Sequence, residues 1–316
     1  MTADPHSVAM RAKLGALNEH FGRDGAVRFG NRFGGEVAML RSDSGTAVVA
    51  LQGAQVLSWV PHGGQDVLWL SPVAVLGTGK AVRGGIPICW PWFGPASGPA
   101  GGPASEPAKP AHGFVRAAPW EVVETGASGG HAKIRLSLDA TGIDPALWPH
   151  QAMCELEIVL DNALTVSLLT KNVGVAPFDL TQALHTYLAV GDVTQISLEG
   201  LDGCAFIDQL APGPLKVQQG AIQIAGEVDR IYQASPQTVR VLDRANARII
   251  DVAKTGSNAT VVWNPWVEKS ARLGDMGVDG YRRMICVEAA NAGQDVVTLA
   301  PGARHQLVSK LSISAL

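Results

Sequence analysis

Residues 131–139 read HAKIRLSLD, and this stretch decides the fold class expected for the chain. Its apolar residues Ile134, Leu136 and Leu138 recur at every second position. Successive side chains of a β-strand point to opposite faces, so this spacing predicts a strand with one buried face. Residues 154–160, CELEIVL, repeat the pattern, and later runs such as ALTVSLLTKN, ATVVWN and MICVEAA are also typical of short strands.

Almost no helical stretch separates these predicted strands, whereas turn sequences such as GSNA and PGA do. A parallel sheet needs crossover connections, usually helices, between its strands. We therefore predict an all-β fold, a large antiparallel β-sandwich. It is expected to form a single β-sandwich domain over residues 25–316, preceded by an N-terminal helical extension at residues 1–24.

The N-terminal segment is the main exception to the strand pattern. Within residues 5–22, four apolar side chains fall on one helix face, which predicts one helix packed on the body of the protein: Met10, Leu14, Leu17 and Phe21. Three irregular segments also interrupt the strands. Residues 94–111, rich in Gly, Pro and Ala, predict a flexible loop, residues 144–150 a turn or short helix, and residues 264–282 one helical turn within a long loop.

Composition limits the possible function classes. The 316-residue chain has a net charge of −3 and contains no cluster of Lys and Arg, which argues against a nucleic-acid partner. No apolar run reaches the roughly 18 residues of a membrane span, and the N-terminus does not have the pattern of a signal peptide. We expect a cytoplasmic monomer without membrane contact. The four cysteines form no CxxC pair and are expected to be reduced core residues: Cys89, Cys154, Cys204 and Cys286.

Two ionisable residues lie inside strand-like apolar runs. His185, in LHTYLAV, is either a core histidine with a satisfied hydrogen bond or an acid–base group, since imidazole titrates near neutral pH. Glu288, in MICVEAAN, is either a solvated strand end or an inward-facing carboxyl whose pKa is raised by burial. Neither segment alone decides between these interpretations.

Two arginines and a histidine complete the candidate set. Arg83 precedes Gly84-Gly85, where backbone could approach a ligand closely, and Arg116 ends the run HGFVR. A guanidinium binds phosphate in a two-pronged geometry. Arg116 is otherwise a surface ion pair, while Arg83 has no obvious acidic neighbour in sequence. His112 is either a donor to a sugar hydroxyl or a turn residue.

Five motifs occur in order along the chain: VRGGIPICWPWFG, AHGFVRAAPW, LHTYLAVGDV, VVWNPWVEK and MICVEAAN. Together they make the chain resemble the hexose-6-phosphate mutarotases (glucose-6-phosphate 1-epimerases), a branch of the galactose-mutarotase-like superfamily. The resemblance runs from about residue 28 to the C-terminus. It implies a large antiparallel β-sandwich with an open cleft across one sheet, an isomerase acting on a sugar phosphate, and no cofactor or metal.

The resemblance also implies roles for individual residues. His185 and Glu288 match the catalytic histidine and glutamate of the family, and Arg83 and Arg116 match its phosphate- and sugar-binding arginines. Asp229, in GEVDRIY, matches an aspartate that contacts sugar hydroxyls. Relatives often have glutamine where this chain has Ala111, which removes one side-chain contact with the substrate.

Anomers interconvert when the sugar ring opens, rotates about C1–C2 and closes again. The expected mechanism places Glu288 as the base at O1 and His185 as the acid at O5, on opposite sides of the sugar, while the arginines hold the 6-phosphate. Two alternatives stay open: a mutarotase for unphosphorylated aldoses, and a non-catalytic carbohydrate-binding sandwich. A metal-binding cupin barrel is disfavoured because no HxH motif occurs.

Overall fold

The computed structural model describes residues 5–95 and 109–316. β-Structure predominates in the described chain, alongside two α-helices and three short 3₁₀ helices. The α-helices are α1 (Pro5–Phe21) and α2 (Trp266–Leu273), and the 3₁₀ helices are Val193–Gln195, Arg244–Asn246 and Gly280–Arg283. The strands, in chain order, are β1 (Val27–Arg32), β2 (Gly35–Ser42), β3 (Gly45–Ala50), β4 (Val56–Pro61), β5 (Ile88–Cys89), β6 (Glu121–Ser128), β7 (His131–Asp139), β8 (Ala152–Leu160), β9 (Leu164–Asn172), β10 (Phe178–Leu180), β11 (Gln182–Leu184), β12 (Tyr187–Ala189), β13 (Ile196–Glu199), β14 (Ala205–Asp208), β15 (Lys216–Val217), β16 (Ile222–Gln223), β17 (Val228–Tyr232), β18 (Val239–Asp243), β19 (Arg248–Thr255), β20 (Ala259–Asn264), β21 (Met284–Asn291), β22 (Val297–Leu299) and β23 (Arg304–Ala315).

Three antiparallel sheets form the body of the protein. A nine-stranded sheet runs in the order β16-β13-β18-β19-β23-β9-β8-β7-β6. An eight-stranded sheet runs β15-β14-β17-β20-β21-β11-β5, with β12 also paired to β21, and a four-stranded sheet follows the chain from β1 to β4. Strands β10 and β22 form a separate pair. The prediction of a large antiparallel β-sandwich is confirmed.

The nine-stranded sheet shows why the period-two pattern predicted strands correctly. In β7 the alternate residues Ile134, Leu136 and Leu138 are buried, and in β8 Leu156 and Ile158 are buried in the same way. These side chains belong to the main hydrophobic core, which also receives residues from the other two sheets. Burial of apolar area at this scale is the dominant favourable contribution to folding.

The predicted N-terminal helix is confirmed as α1, which ends one residue earlier than expected. Leu14, Leu17 and Phe21 pack against the main core. Asn18 ties the helix to β1, because its side-chain amide accepts from the backbone N–H of Phe29 and donates to the Phe29 carbonyl. Neither α-helix in the described part of the chain has the length and apolar character that crossing a bilayer requires.

The irregular segments differ in part from expectation. Residues 144–150 form a turn, where the Asp144 carboxylate accepts from the backbone N–H of Ala146. Residues 264–282 contain more helix than the single turn predicted, namely the eight-residue α2 and the start of a 3₁₀ helix. Of the loop predicted at residues 94–111, residues 96–108 lie outside the described residues.

The two faces of the eight-stranded sheet have different surroundings. Along β21, Ile285, Val287 and Ala289 belong to the main core, whereas Met284 and Cys286 belong to a separate cluster on the opposite face. Side chains alternate along a strand, so Glu288 also lies on this second face. We call it the cleft face, and it carries the candidate site.

Candidate active site

His185 and Glu288 meet on the cleft face of the eight-stranded sheet. His185 stands between β11 and β12, both of which pair with β21, and Glu288 lies within β21. The imidazole Nε2 is 3.3 Å from Glu288 Oε1. The two residues are 8% and 1% exposed. Residues 103 positions apart in sequence therefore form one buried pair.

The pair contains hydrogen-bonding capacity that other protein groups do not use. Both carboxyl oxygens of Glu288 and the Nδ1 of His185 have no hydrogen-bond partner within the described part of the chain. The 3.3 Å contact between the two side chains does not have hydrogen-bond geometry. Buried polar groups in folded proteins are nearly always paired, so these atoms are available to a ligand.

Burial changes the protonation of both groups. Desolvation raises the pKa of Glu288 well above its ordinary value of 4.5, with Asp229 adding to the rise and Arg116 opposing it. Desolvation lowers the pKa of His185 well below its ordinary value of 6.5, and the neighbouring His112 and the positive charges of Arg116 and Arg83 lower it further. Burial therefore favours the uncharged forms of both groups, so a carboxylic acid that can give a proton lies beside an imidazole that can take one.

Aromatic rings form a wall beside the pair. The Tyr187 ring stacks on His185, with centroids 4.7 Å apart and planes 13° apart, and Trp69 stacks on the other face of Tyr187 at 5.9 Å. Trp263 contacts both His185 and Tyr187 edge-on. The imidazole is held in one orientation by packing, and the rings offer the flat apolar surface against which sugar C–H groups can rest.

Arg83 has two partners that the sequence did not indicate. Its Nε donates to Asp275 Oδ1 at 3.0 Å, and its Nη1 donates to the Tyr187 hydroxyl at 3.2 Å. Burial disfavours the charged guanidinium, but Tyr187 and Asp275 outweigh this effect and raise the pKa of Arg83 above its ordinary value. The guanidinium is permanently charged. It contacts the hydroxyl of Tyr187, whose ring stacks on His185.

These contacts leave part of the guanidinium available. Arginine has five N–H donors. One N–H on Nε and one on Nη1 are used, and within the described residues Nη2 has no acceptor. The edge formed by Nη1 and Nη2 can therefore present two parallel donors to a phosphate or carboxylate.

Arg116 and His112 come from the segment that follows the undescribed residues 96–108. Arg116 Nη2 donates to the carbonyl of Ala111 at 2.6 Å, so the backbone of Ala111 positions this arginine. The His112 Nδ1 accepts from the backbone N–H of Gly94, and its ring lies 5.8 Å from that of His185. Burial, then Arg116 and Arg83, lower the pKa of His112 to about 3, so this ring is neutral.

Asp229 lies on the cleft face in a row across four strands. In register, Asp229 is opposite Trp263, Trp263 is opposite Cys286, and Cys286 is opposite Tyr187. The Asp229 carboxylate accepts from Lys269 Nζ of α2 at 3.4 Å. Burial raises the pKa of Asp229, with Lys269 acting in the opposite direction.

The structure thus brings the six predicted site residues to one region, and it adds three that the sequence did not suggest. Asp275 had no signal in sequence, and Lys269 was not singled out although it ends the motif VVWNPWVEK; both follow β20, Lys269 within α2 and Asp275 just after it. Tyr187 did have a signal in the sequence, because it lies two positions after His185 and therefore on the same face of the sheet.

A cavity of about 520 Å³ opens next to the pair. The described residues that line it include Trp92, Phe93 and Ile231, but not His185 or Glu288. Phe93 contacts the ring of His112 at 4.9 Å, and His112 in turn neighbours His185. The reactive pair therefore lies beside this cavity rather than within it.

Comparison with known proteins finds relatives that share most of this chain's length. A protein from Escherichia coli K12 named "Putative glucose-6-phosphate 1-epimerase" is 36% identical over 250 residues, which are 78% of this chain and 80% of the relative. One of the same name from Cenchrus ciliaris is 34% identical over 266 residues, 81% of this chain and 78% of the relative. These matches confirm the resemblance predicted from the five motifs.

Solved structures agree on the fold. A crystal structure from Salmonella typhimurium, described as "a putative mutarotase", has a TM-score of 0.84 at 29% identity and covers 97% of this chain and 100% of that chain. A galactose mutarotase-like protein from Clostridium acetobutylicum has a TM-score of 0.70 at 12% identity, over 92% and 98% of the two chains, and shares the fold. The family model for aldose 1-epimerase matches residues 36–312. This protein belongs to the aldose 1-epimerase family.

Proposed function

We propose that the protein interconverts the α and β anomers of a hexose 6-phosphate, with glucose 6-phosphate as the preferred candidate. The observation that carries this proposal is the contact between His185 Nε2 and Glu288 Oε1, 3.3 Å apart on a buried cleft face. The relatives named for glucose 6-phosphate support the choice of substrate.

In the proposed mechanism, Glu288 removes the proton of the C1 hydroxyl and His185 delivers a proton to the ring oxygen O5. The sequence-based expectation placed these groups on opposite sides of the sugar, but the side chains are adjacent. Adjacency suits the reaction because O1 and O5 are bonded to the same carbon. After rotation about C1–C2 the roles reverse and the ring closes as the other anomer.

When the reaction begins, His185 must be protonated and Glu288 must be a carboxylate. In the protein without sugar, burial favours the uncharged form of each group instead. A bound sugar donates its O1–H to the carboxylate and accepts at O5 from the imidazolium, and both hydrogen bonds favour the charged forms. Transfer across the 3.3 Å contact between the two side chains then prepares the acid and the base together.

The arginines are proposed to hold the 6-phosphate. Arg83 offers the edge formed by Nη1 and Nη2, and the charge of Arg116 lowers the pKa of both His185 and Glu288. Asp229 is proposed to contact sugar hydroxyls, and His112 to donate to one of them. Binding energy from the remote phosphate positions C1 against the pair.

Anomer exchange measured by NMR on sugars with and without a 6-phosphate tests the proposal. Exchange of glucose 6-phosphate should be accelerated, and His185→Ala should lose about 10²–10⁴-fold of that acceleration. Equal rates for glucose and glucose 6-phosphate would favour a mutarotase for unphosphorylated aldoses. Binding of sugar without any exchange would favour the non-catalytic sandwich.

We further propose that residues 25–316 form the catalytic domain and residues 1–24 a helical extension, and that the enzyme works as a cytoplasmic monomer without nucleic-acid or membrane partners. The packing of α1 onto the main core and the small net charge of −3 support these points. The acid–base chemistry is complete without a cofactor or metal.

A further inference from the structure

Cys286 lies beside the reactive pair and is not used by the proposed mechanism. It is two positions before Glu288 in β21, so both side chains are on the cleft face, and it is fully buried. One donor atom from each of His185, Cys286 and Glu288 lies within 4.8 Å of the other two. Among the described residues, no other three His, Cys, Asp or Glu side chains bring their donor atoms this close together.

Imidazole nitrogen, thiolate sulfur and carboxylate oxygen are the three donors that Zn²⁺ prefers. A tetrahedral zinc holds its ligands at about 2.0–2.3 Å, which places neighbouring donor atoms roughly 3–4 Å apart. Side-chain adjustments of about an ångström bring the three groups to that spacing. Burial raises the pKa of Cys286 and of Glu288, so Zn²⁺ must displace their protons to solvent when it binds. The resulting thiolate and carboxylate together balance the charge of the ion, which a buried site requires.

We propose that Zn²⁺ binds reversibly to His185, Cys286 and Glu288, with its fourth position open, and that it inhibits the enzyme. Inhibition follows because the ion would occupy the lone pairs of the acid and the base. Only the inhibition rests on the proposed function, since metal binding can be measured without any reaction.

Two features make this an exchangeable site rather than a resident metal centre. Arg83 and Arg116 contribute positive charge at the pair, as their effect on His185 shows, and this charge opposes a cation. In addition, His185 Nδ1 has no hydrogen-bond acceptor within the described chain. Metal-bound histidines usually donate their second N–H to such a group, and its absence costs about 10–100-fold in affinity. Sugar phosphate and Zn²⁺ should therefore compete.

Titration with Co²⁺, a spectroscopic substitute for Zn²⁺, tests the binding directly. The wild-type protein should bind one ion per chain and develop a thiolate-to-cobalt charge-transfer absorption. Cys286→Ser should lose this absorption and bind Zn²⁺ at least about 10-fold more weakly by calorimetry. The matched control is Cys204→Ser, which removes a half-buried thiol outside the site and should behave as wild type. No absorption in the wild type, or its persistence in Cys286→Ser, would overturn the site.

Inhibition is then measured by anomer exchange, with each variant compared with its own zinc-free rate. Zn²⁺ should suppress exchange at least about 10-fold in the wild type and Cys204→Ser, should affect Cys286→Ser little, and should be reversed by a chelator. If Cys286→Ser does not fold, the test uses the wild type alone, from which glucose 6-phosphate should displace Co²⁺. An equal concentration of inorganic phosphate is the control for chelation in solution. A cobalt absorption that the sugar phosphate leaves unchanged overturns the proposal. Cys286-dependent metal binding without anomer exchange supports the site and overturns the proposed function instead.

Discussion

Strand β21 carries two polar residues with the same 1% exposure, Glu288 and Asn291, and their surroundings differ completely. Asn291 Nδ2 donates to the Gly256 carbonyl and to Asp295, and its Oδ1 accepts from Gln182. Glu288, three positions earlier on the other face, has no hydrogen-bond partner for either oxygen among the described residues. The two residues are equally buried, so burial alone does not distinguish a structural polar residue from a reactive one. They differ in whether their hydrogen bonds are satisfied.

Two arginine–aspartate pairs repeat this contrast. Arg248 and Asp243 are nearly fully buried, and Arg248 also donates to the Ala189 carbonyl, so its guanidinium serves the fold. Arg83 and Asp275 are partly exposed, and the end of that guanidinium has capacity left for a ligand. In both comparisons, the polar group at the candidate site keeps unused hydrogen-bonding capacity and its counterpart elsewhere does not.

The largest expected effect separates Glu288 from Asn291. Glu288→Gln should lower kcat for anomer exchange by about 10²–10⁴-fold, because the amide cannot act as a base. Asn291→Ala should instead lower the free energy of unfolding by about 1–3 kcal/mol, because it leaves buried partners unpaired. NMR exchange rates and urea denaturation of both variants measure this. A Glu288→Gln protein with wild-type activity would remove the distinction.

The next largest effect concerns Arg83, the proposed phosphate-binding residue. Arg83→Ala should raise KM for glucose 6-phosphate roughly 10–100-fold, because charge-assisted hydrogen bonds to the phosphate are worth about 1.5–3 kcal/mol. The affinity for unphosphorylated glucose should change little. Saturation kinetics with both sugars decide the matter, and an equal loss for the two would contradict a phosphate site at Arg83.

A smaller effect is expected from Asp275, which orients the Arg83 side chain. Asp275→Asn keeps an acceptor for Arg83 Nε but removes its charge, so KM for the sugar phosphate should rise only about 3–10-fold with kcat unchanged. The backbone at Asp275 is held by Ser71, whose hydroxyl donates to the Asp275 carbonyl at 2.7 Å. If the variant instead binds sugar phosphate more tightly, Asp275 repels the phosphate rather than positioning the arginine.

The smallest effect is a difference in stability that depends on pH. Folding raises the pKa of Glu288 above its ordinary value of 4.5, so the folded state disfavours the carboxylate. The cost is absent below pH 4.5 and grows as pH rises towards the folded pKa. Glu288→Gln lacks this cost, so its Tm relative to wild type should increase from pH 4 to pH 8 in thermal unfolding. A pH-independent difference would show that the carboxyl is not desolvated.

Much of the fold could be predicted because its physical causes are local. The alternation of Ile134, Leu136 and Leu138 required a strand with one buried face, and the structure has that strand as β7. The helix face formed by Leu14, Leu17 and Phe21 could be predicted from local spacing in the same way. The extent of α2 was underestimated although residues 266–273 separate apolar and polar side chains at helical spacing, a local pattern that the prediction did not use.

The site was predictable only in part. His185 and Glu288 could be chosen as ionisable residues inside apolar runs, but the choice between their alternative interpretations needed the sheet register. The partner of Arg83 is Asp275, 192 positions away, and no local signal connects them.

By itself, the sequence determined the strands, the helix and the motifs that identify the family, because backbone periodicity and residue type are properties of short segments. Only the tertiary structure decided that His185 and Glu288 touch, that Arg83 keeps an open edge and that Cys286 joins the pair. Those relations depend on which strands become neighbours in the sheet and which face each side chain takes. Neighbouring strands are chosen by the burial of the whole core, which no single segment specifies.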